Sequence, residues 1–488
     1  MFKDERNRLA AALAALLMGA MPIAYSQDPE PANILLILAD DLGIETLERF
    51  GVGAAGVRTP SLDELAERGV AFTNAWAQPV CSATRATILT GRYGFRTGVG
   101  RQIVTGPALG ESPEAPLKPP DFVIELPVGG GMAAVEAQRL SDATTWGPSL
   151  EELTLPMALE AGTRSAYTTA AIGKWHLADV RNGWEQHPNR AGFDHFSGLL
   201  AGGPESYSAW VKVVDGTFSA ESGYAPADKV NDALAWIDAQ REPWFVWLNF
   251  NLVHVPIHRP PREWLGKSAV DLDIADQRQR RLAYFDAMVE ALDAAVGRTL
   301  DGLAGAVLDN TYVIFMGDNG TRGSVIRAPF DRLSAKGTLY QGGVHVPLIV
   351  AGPGVRRGGV SGALVNSTDL FATVLEMAGA HVAEALPDEA IIDSVSLVPY
   401  LSDPGRASIR AWAYADLFPG SDVADGRAAI RDERFKLIRG SGEDEFYDLA
   451  EDPYERNDLL ATDDLGEMAA AHYHALADRL KTLHASED

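Results

Sequence analysis

Two polar pairs, Asp40-Asp41 and Asp318-Asn319, each directly follow an apolar run, and together they offer three carboxylates and an amide oxygen. Hard oxygen donors of this kind suit Ca²⁺ or Mg²⁺, and no Cys/His cluster favours zinc. Taken alone, either pair reads as a turn or a helix cap, because Asp and Asn side chains bond to nearby backbone N–H groups. Asn319-Gly320-Thr321 also fits a glycosylation sequon, which we read as coincidence. Lys174 and His176 in GKWH and His254 in VHVP come after other apolar runs, and a further basic residue, Lys336, comes in AKGTLYQGG. Singly, each lysine reads as a solvated charge and His254 as a structural histidine. Joined by Arg85, they could surround a tetrahedral oxyanion beside a cation. The lone cysteine, Cys81, lies in QPVCSATRATILTGRYG (78–94) and so forms no internal disulfide. Its ordinary role would be a small buried apolar residue. Here it stands where a helix begins, so the dipole favours an anion there, and Arg85 follows at i+4 on the same face. A thiolate at this position is one candidate nucleophile.

The elements that must position these groups can be read from hydrophobic patterning. NILLILADD (33–41), SAYTTAAIGKWH (165–176), PWFVWLNFN (243–251), TYVIFMGDNG (311–320) and VPLIVAGPG (346–354) are short apolar runs ending in polar residues or glycine, and they read as buried strands. PSLDELAERG (60–69), LTLPMALEAG (153–162) and the stretch 280–303 read as helices. The alternation predicts an α/β fold, a large wound mixed sheet with helices on both faces. In such sheets ligands bind beyond the carboxyl ends of the strands, which is where the polar groups fall. After about residue 405 the pattern changes: RAAIRDERFKLIRG and DEFYDLAEDPYE predict a small antiparallel sheet, with a closing helix at about 463–484. The Pro- and Gly-rich stretch 106–148 reads as a surface insertion, and there is no internal repeat.

Apolar residues make up 46% of the 488 and charged residues 22%, an ordinary globular composition. The net charge of -25 argues against nucleic acid or an anionic membrane as partner. An anionic substrate then needs a strongly positive local site, and a long polyanionic glycan is weakly disfavoured. MFKDERNR followed by LAAALAALLMGAMPIA and Ala24-Tyr25-Ser26 predicts an export signal over residues 1–26. The expected product is secreted or periplasmic, with no stable membrane insertion once the signal is removed. The expected division is 1–26 signal, 27–404 catalytic domain and 405–488 C-terminal α+β subdomain.

With these motifs in view, the chain resembles the formylglycine-dependent sulfatase family of the alkaline phosphatase-like superfamily. The family's first signature reads here CSATRATILTG, and its second GTRSAYTTAAIGKWH. ADDLG, HVPIHRP, MGDNG, KGTLYQGGVHVPLIV, NSTDLFATVLEMAG and FKLIRG…EFYDLAEDPYERNDL extend the resemblance over about 31 to 460. The resemblance implies that Cys81 is oxidised to formylglycine by a separate maturation enzyme, and that a hydroxyl of the hydrated aldehyde attacks a sulfate ester. It implies Asp40, Asp41, Asp318 and Asn319, with residue 81, around one divalent cation, Ca²⁺ before Mg²⁺. Arg85 and Lys174 would hold the hydrated aldehyde, and Lys174 and Lys336 the sulfate. His254 would act as the acid for the leaving oxygen and His176 as the base for sulfate elimination. The commoner motif has proline two residues after the cysteine, where this chain has Ala83. The expected substrate is a small sulfated sugar or aryl sulfate. The rival readings are a phosphonate monoester hydrolase or phosphodiesterase of the same superfamily, and a sulfoglycan-binding protein whose Cys81 stays a thiol. Trp146, Trp184, Tyr207 and Trp210 are candidates to stack on the alcohol or to pack internally.

Overall fold

The computed structural model describes residues 31–53, 56–103, 146–163, 166–179, 181–266, 274, 276–380, 382–387, 389–420, 425–440, 442–461 and 465–485. The expected export signal at 1–26 and nearly all of the expected insertion at 106–148 lie outside the described residues. The strands are β1 (Asn33–Ala39), β2 (Gly69–Phe72), β3 (Ala75–Trp76), β4 (Thr168–Lys174), β5 (His195–Leu199), β6 (Ala209–Val214), β7 (Thr217–Ser222) and β8 (Trp244–Asn249). They continue with β9 (Thr311–Gly317), β10 (Leu348–Ala351), β11 (Gly359–Ser361), β12 (Val365–Asn366), β13 (Ala413–Leu417), β14 (Arg427–Arg431), β15 (Phe435–Arg439) and β16 (Glu445–Asp448).

Ten of them form one sheet in the order β11-β2-β10-β9-β1-β8-β4-β5-β6-β7. The five central strands, β9, β1, β8, β4 and β5, run parallel. β10 lies antiparallel to both β9 and β2, and β6 and β7 extend the far edge as an antiparallel hairpin. The sheet is therefore mixed, as the sequence predicts. Its centre is apolar in an unbroken run because a parallel sheet is covered on both faces. β1 makes the point: Ile34, Leu36 and Leu38 enter one core, and Leu35, Ile37 and Ala39 the other. Each buried Leu or Ile contributes about 1.5–3 kcal/mol relative to exposure. The first core is covered by helices Cys81–Thr90, Leu155–Gly162 and Asp369–Met377, the second by Pro60–Glu67, Ala225–Asp238 and Gln277–Gly302.

Parallelism has a functional consequence. The carboxyl ends of β9, β1, β8 and β4 share one edge, with adjacent strands about 4.8 Å apart. Whatever follows these strands must meet. At the C-terminus, β13 to β16 form the expected antiparallel sheet in sequence order, and helix Glu467–Ala485 packs on it through Leu476 and Leu480. Its core also takes in Tyr93 and Phe95 from the segment that follows helix Cys81–Thr90, and Ala32–Asp488 cluster as one compact unit.

Candidate active site

β1 ends at Ala39, and Asp40 and Asp41 follow at once, both buried, with Asp41 in the left-handed region at φ 64°. β9 ends at Gly317 and delivers the buried Asp318 and Asn319 beside them. The pairs lock together: the Asp41 N–H donates to Asp318 Oδ1 at 3.0 Å, and Asn319 Nδ2 donates to Asp41 Oδ1 at 3.0 Å. β4 delivers Lys174, whose Nζ donates to Asp40 Oδ2 at 2.7 Å. Gly173 is required just before it. Its φ is 101°, and a Cβ there would lie 1.9 Å from the Asn249 carbonyl oxygen of β8. Lys336 reaches the same centre from its loop and pairs with Asp41 Oδ1. Both lysines read singly as solvated charges, yet their side chains are only 0% and 6% exposed. Pairing is what permits that burial.

Cys81 opens helix Cys81–Thr90, all ten of whose residues are buried. Its Sγ lies 3.2 Å from His176 Nδ1. The other ring nitrogen of His176 faces the Ile103 carbonyl at 3.1 Å, so Nε2 carries the proton and Nδ1 presents a lone pair to residue 81. Gly202 leaves room for this ring, since a Cβ there would lie 2.6 Å from His176 Cε1. Arg85, one turn along, is fully buried and donates to Asp318 Oδ2 at 2.9 Å, Lys174 O at 2.9 Å and Asn249 Oδ1 at 2.7 Å. His254 gives Nδ1 to the Val255 carbonyl at 2.9 Å and points Nε2 toward Asp41 Oδ2, 4.0 Å away. All ten candidate residues thus belong to one contact network.

Three buried oxygens in this network have no hydrogen-bond donor: Asp40 Oδ1, Asp41 Oδ2 and Asn319 Oδ1. Ligand atoms of Asp40, Cys81 and Asp318 lie within 4.8 Å of one another, as do those of Asp40, Asp41 and His254. Buried oxygens left without donors are costly, and hard-oxygen sets of this composition fit Ca²⁺ or Mg²⁺. Burial pushes the Asp40 carboxyl well up despite Lys174. For Asp41 burial acts the same way, but Lys336 foremost, with His254 and Lys174, holds the carboxyl below the usual range. Burial, reinforced by Lys174 and Arg85, depresses His176 well below an ordinary histidine and keeps it neutral. Burial lowers His254 too, with Asp41 opposing. Counted as ionised, three carboxylates balance Arg85, Lys174 and Lys336, so a divalent cation would leave the pocket at +2 for an anionic ester.

Some contributors carry no legible motif. Asn249 ends β8 as a single amide after an apolar run, and Thr84 donates its hydroxyl to the Asp318 carbonyl while accepting from the Gln78 N–H at 2.9 Å. Of the four aromatic candidates, Tyr207 and Trp210 are buried in the core and are not stacking surfaces. The Tyr207 hydroxyl donates to the backbone carbonyls of Asn251 and His254 and so holds the His254 loop. Trp184 packs against the core, and Trp146 lies under the Arg181 guanidinium, 3.6 Å from the ring centroid.

A wound sheet whose strand ends gather oxygen donors, buried cations and a helix-opening Cys81 defines an ester hydrolase of the alkaline phosphatase-like fold. The chain belongs to the sulfatase family and is a sulfuric ester hydrolase: the Sulfatase family model matches residues 32–380, and that of the N-sulphoglucosamine sulphohydrolase C-terminal region matches 331–485. It is 30% identical over 422 residues to N-acetylgalactosamine-6-sulfatase of Mus musculus, covering 80% of this chain and 70% of that protein. It is 26% identical over 509 residues to arylsulfatase A of Homo sapiens, covering 93% and 87%. The crystal structure of Ps i-CgsB superposes with a TM-score of 0.72 at 23% identity, over 93% of this chain and 92% of that one, and shares the fold.

Proposed function

We propose that this sulfatase cleaves a sulfate monoester of a small sugar or aryl alcohol, using formylglycine made from Cys81 and one divalent cation, Ca²⁺ before Mg²⁺. The observation that carries the reading is the set of donor-free oxygens on Asp40, Asp41 and Asn319 beside residue 81. Asp40, Asp41, Asp318 and Asn319 would hold the cation. Bound there, the cation supplies Lewis acidity at a sulfate oxygen, and the hydrated aldehyde supplies the attacking hydroxyl. Arg85 holds Asp318 and the end of β4 in place. Lys174 and Lys336 neutralise the sulfate oxygens as charge moves onto them. His176, neutral and with its Nδ1 lone pair toward residue 81, is the base that removes a proton at that position. His254, with Nε2 toward the site, is the acid for the leaving oxygen once protonated. The names of the relatives, a hexosamine sulfatase and an arylsulfatase, support both alcohol classes.

The same reading extends to handling of the chain. Residues 1–26 serve as an export signal, 27–404 carry the catalysis and 405–488 form the C-terminal subdomain, with a maturation enzyme as transient partner. Among the described residues no helix is long and apolar enough to cross a membrane. The test is a mass spectrum of the tryptic peptide 69–85, GVAFTNAWAQPVCSATR, from protein made in its native host. An aldehyde at position 81, with sulfur and two hydrogens lost and oxygen gained, is the expected result. An intact thiol means that Ala83 blocks maturation in that host and overturns the formylglycine reading. Lys336→Ala is expected to lower kcat/KM for an aryl sulfate by roughly 10²-fold, the scale of one preorganised charge contact. Unchanged kcat/KM would remove Lys336 from the site.

A further inference from the structure

The catalytic reading makes no use of the closing block FKLIRG…EFYDLAEDPYERNDL, yet two of its charged residues are deeply buried. Lys436 on β15 and Glu455 after β16 form an ion pair whose side chains are 0% and 1% exposed. Buried ion pairs are weak stabilisers, because desolvation offsets most of the attraction. This pair also does something specific with its remaining hydrogen-bonding capacity. Lys436 Nζ donates to the Leu339 carbonyl at 2.6 Å, and the second Glu455 oxygen accepts the backbone N–H of Gln341. Tyr340, between them, donates its hydroxyl to Glu445 on β16. From the catalytic side, Trp76 Nε1 donates to Gln341 Oε1 at 2.9 Å, and the Lys436 ammonium lies 4.8 Å from the Trp76 ring centroid.

Residues 339, 340 and 341 are therefore gripped in succession by the C-terminal sheet. Lys336 lies three residues earlier on the same loop, separated by Gly337 in a left-handed turn at φ 86°. Its own stretch is tied by the Lys336 N–H to the Thr321 carbonyl at 3.0 Å and by the Gly337 N–H to the Pro79 carbonyl at 2.9 Å. Those two bonds, with the Thr338 N–H donating to the Ala335 carbonyl at 3.1 Å, fix the backbone at the site, and the contacts at 339–341 set where the loop continues. We propose that the Lys436–Glu455 pair is a positioning device through which the C-terminal sheet sets Lys336 against the sulfate group, a role that rests on the reading of Lys336 as a sulfate contact. A misplacement of about 1 Å can cost 10²-fold in rate, so a grip of this kind has kinetic weight.

A double-mutant cycle tests it. kcat/KM for an aryl sulfate and the affinity for inorganic sulfate are measured for the mature parent, Glu455→Gln, Lys336→Ala and the double variant. Glu455→Gln is expected to lower kcat/KM by roughly tenfold and to weaken sulfate binding in parallel. In the Lys336→Ala background the same change should add less than about twofold, because coupled residues fail to add. Lys436→Arg, which keeps an ion pair, should retain most of the parent activity, whereas Lys436→Met should behave like Glu455→Gln. Additive losses, or parent kinetics in Glu455→Gln, overturn the proposal and leave the site reading standing. Unchanged kcat/KM in Lys336→Ala overturns both. Should Glu455→Gln fail to fold, Lys436→Met, which removes the other half of the pair, takes its place in the cycle under the same criteria.

Discussion

Cys81→Ala lowers kcat for an aryl sulfate by about 10⁴-fold or more, the scale on which enzymes respond to loss of a nucleophile. The expectation follows from position. The Cys81 side chain opens a helix whose first-turn N–H groups lack intrahelical partners, so that end favours a developing anion. It faces the lone-pair nitrogen of His176 at 3.2 Å and shares a cluster with Asp40 and Asp318. No other side chain among the described residues combines those three relationships. Removing one sulfur from a site that is already closed and helical leaves the fold intact, so the melting midpoint should stay within a few degrees of the parent. Single-turnover and steady-state assays on matched, folded proteins check this. Activity within tenfold of the parent would mean that residue 81 is not the nucleophile, and the hydrolysis would have to be reassigned to another group.

Much of this site was legible because its residues come in pairs at the ends of apolar runs. β1, β4, β8 and β9 are buried on both faces, so each is spelled as a continuous hydrophobic segment, and the first polar residue after it marks the carboxyl end. Asp40-Asp41, Lys174, and Asp318-Asn319 sit at those marks. β7 (TFSAES) carries no such run because it is the edge strand and none of its residues is fully buried, and β5 (HFSGL), although buried, is spelled with His, Ser and Gly among its five residues. Strand order is not spelled at all. That β9 and β1 are neighbours, and hence that Asp318 meets Asp41, is a consequence of long-range pairing between residues 33–39 and 311–317. For the same reason the burial of Lys174 and Lys336 was hidden. A lysine is expected at the surface until its carboxylate partner is known, and the partners lie 134 and 295 residues away. Asn249 and Tyr207 act by holding other site groups, and a single amide or phenol in a strand or loop announces no such task. The histidine tautomers are likewise set by the Ile103 and Val255 carbonyls, which no side-chain motif records.

Asp318→Asn carries the second large effect, and it separates two roles that one carboxylate combines. Asp318 Oδ1 accepts the Asp41 N–H, and Oδ2 accepts Arg85 Nη2, with both side chains of that ion pair fully buried. An amide has one acceptor oxygen, so either Asp41 or Arg85 would face an N–H donor in place of an acceptor. Breaking one side of a buried ion pair costs about 3–5 kcal/mol, because the remaining charge is left without a counter-charge. Lys174 O and Asn249 Oδ1 still hold Arg85, so the variant should fold with a lowered midpoint. Turnover of an aryl sulfate should fall by about 10³-fold or more, beyond the loss of one charge contact, since Asp41 and Arg85 shift together. Calcium titration of thermal stability distinguishes a ligand from a merely structural acid. A site that binds only the folded state adds about 2.7 kcal/mol at a hundredfold excess over Kd. The parent midpoint should therefore rise with Ca²⁺, and the Asp318→Asn midpoint should rise far less. If both rise equally, Asp318 organises Arg85 without holding the cation, and the metal must rest on Asp40, Asp41 and Asn319, whose donor-free oxygens already point to that duty.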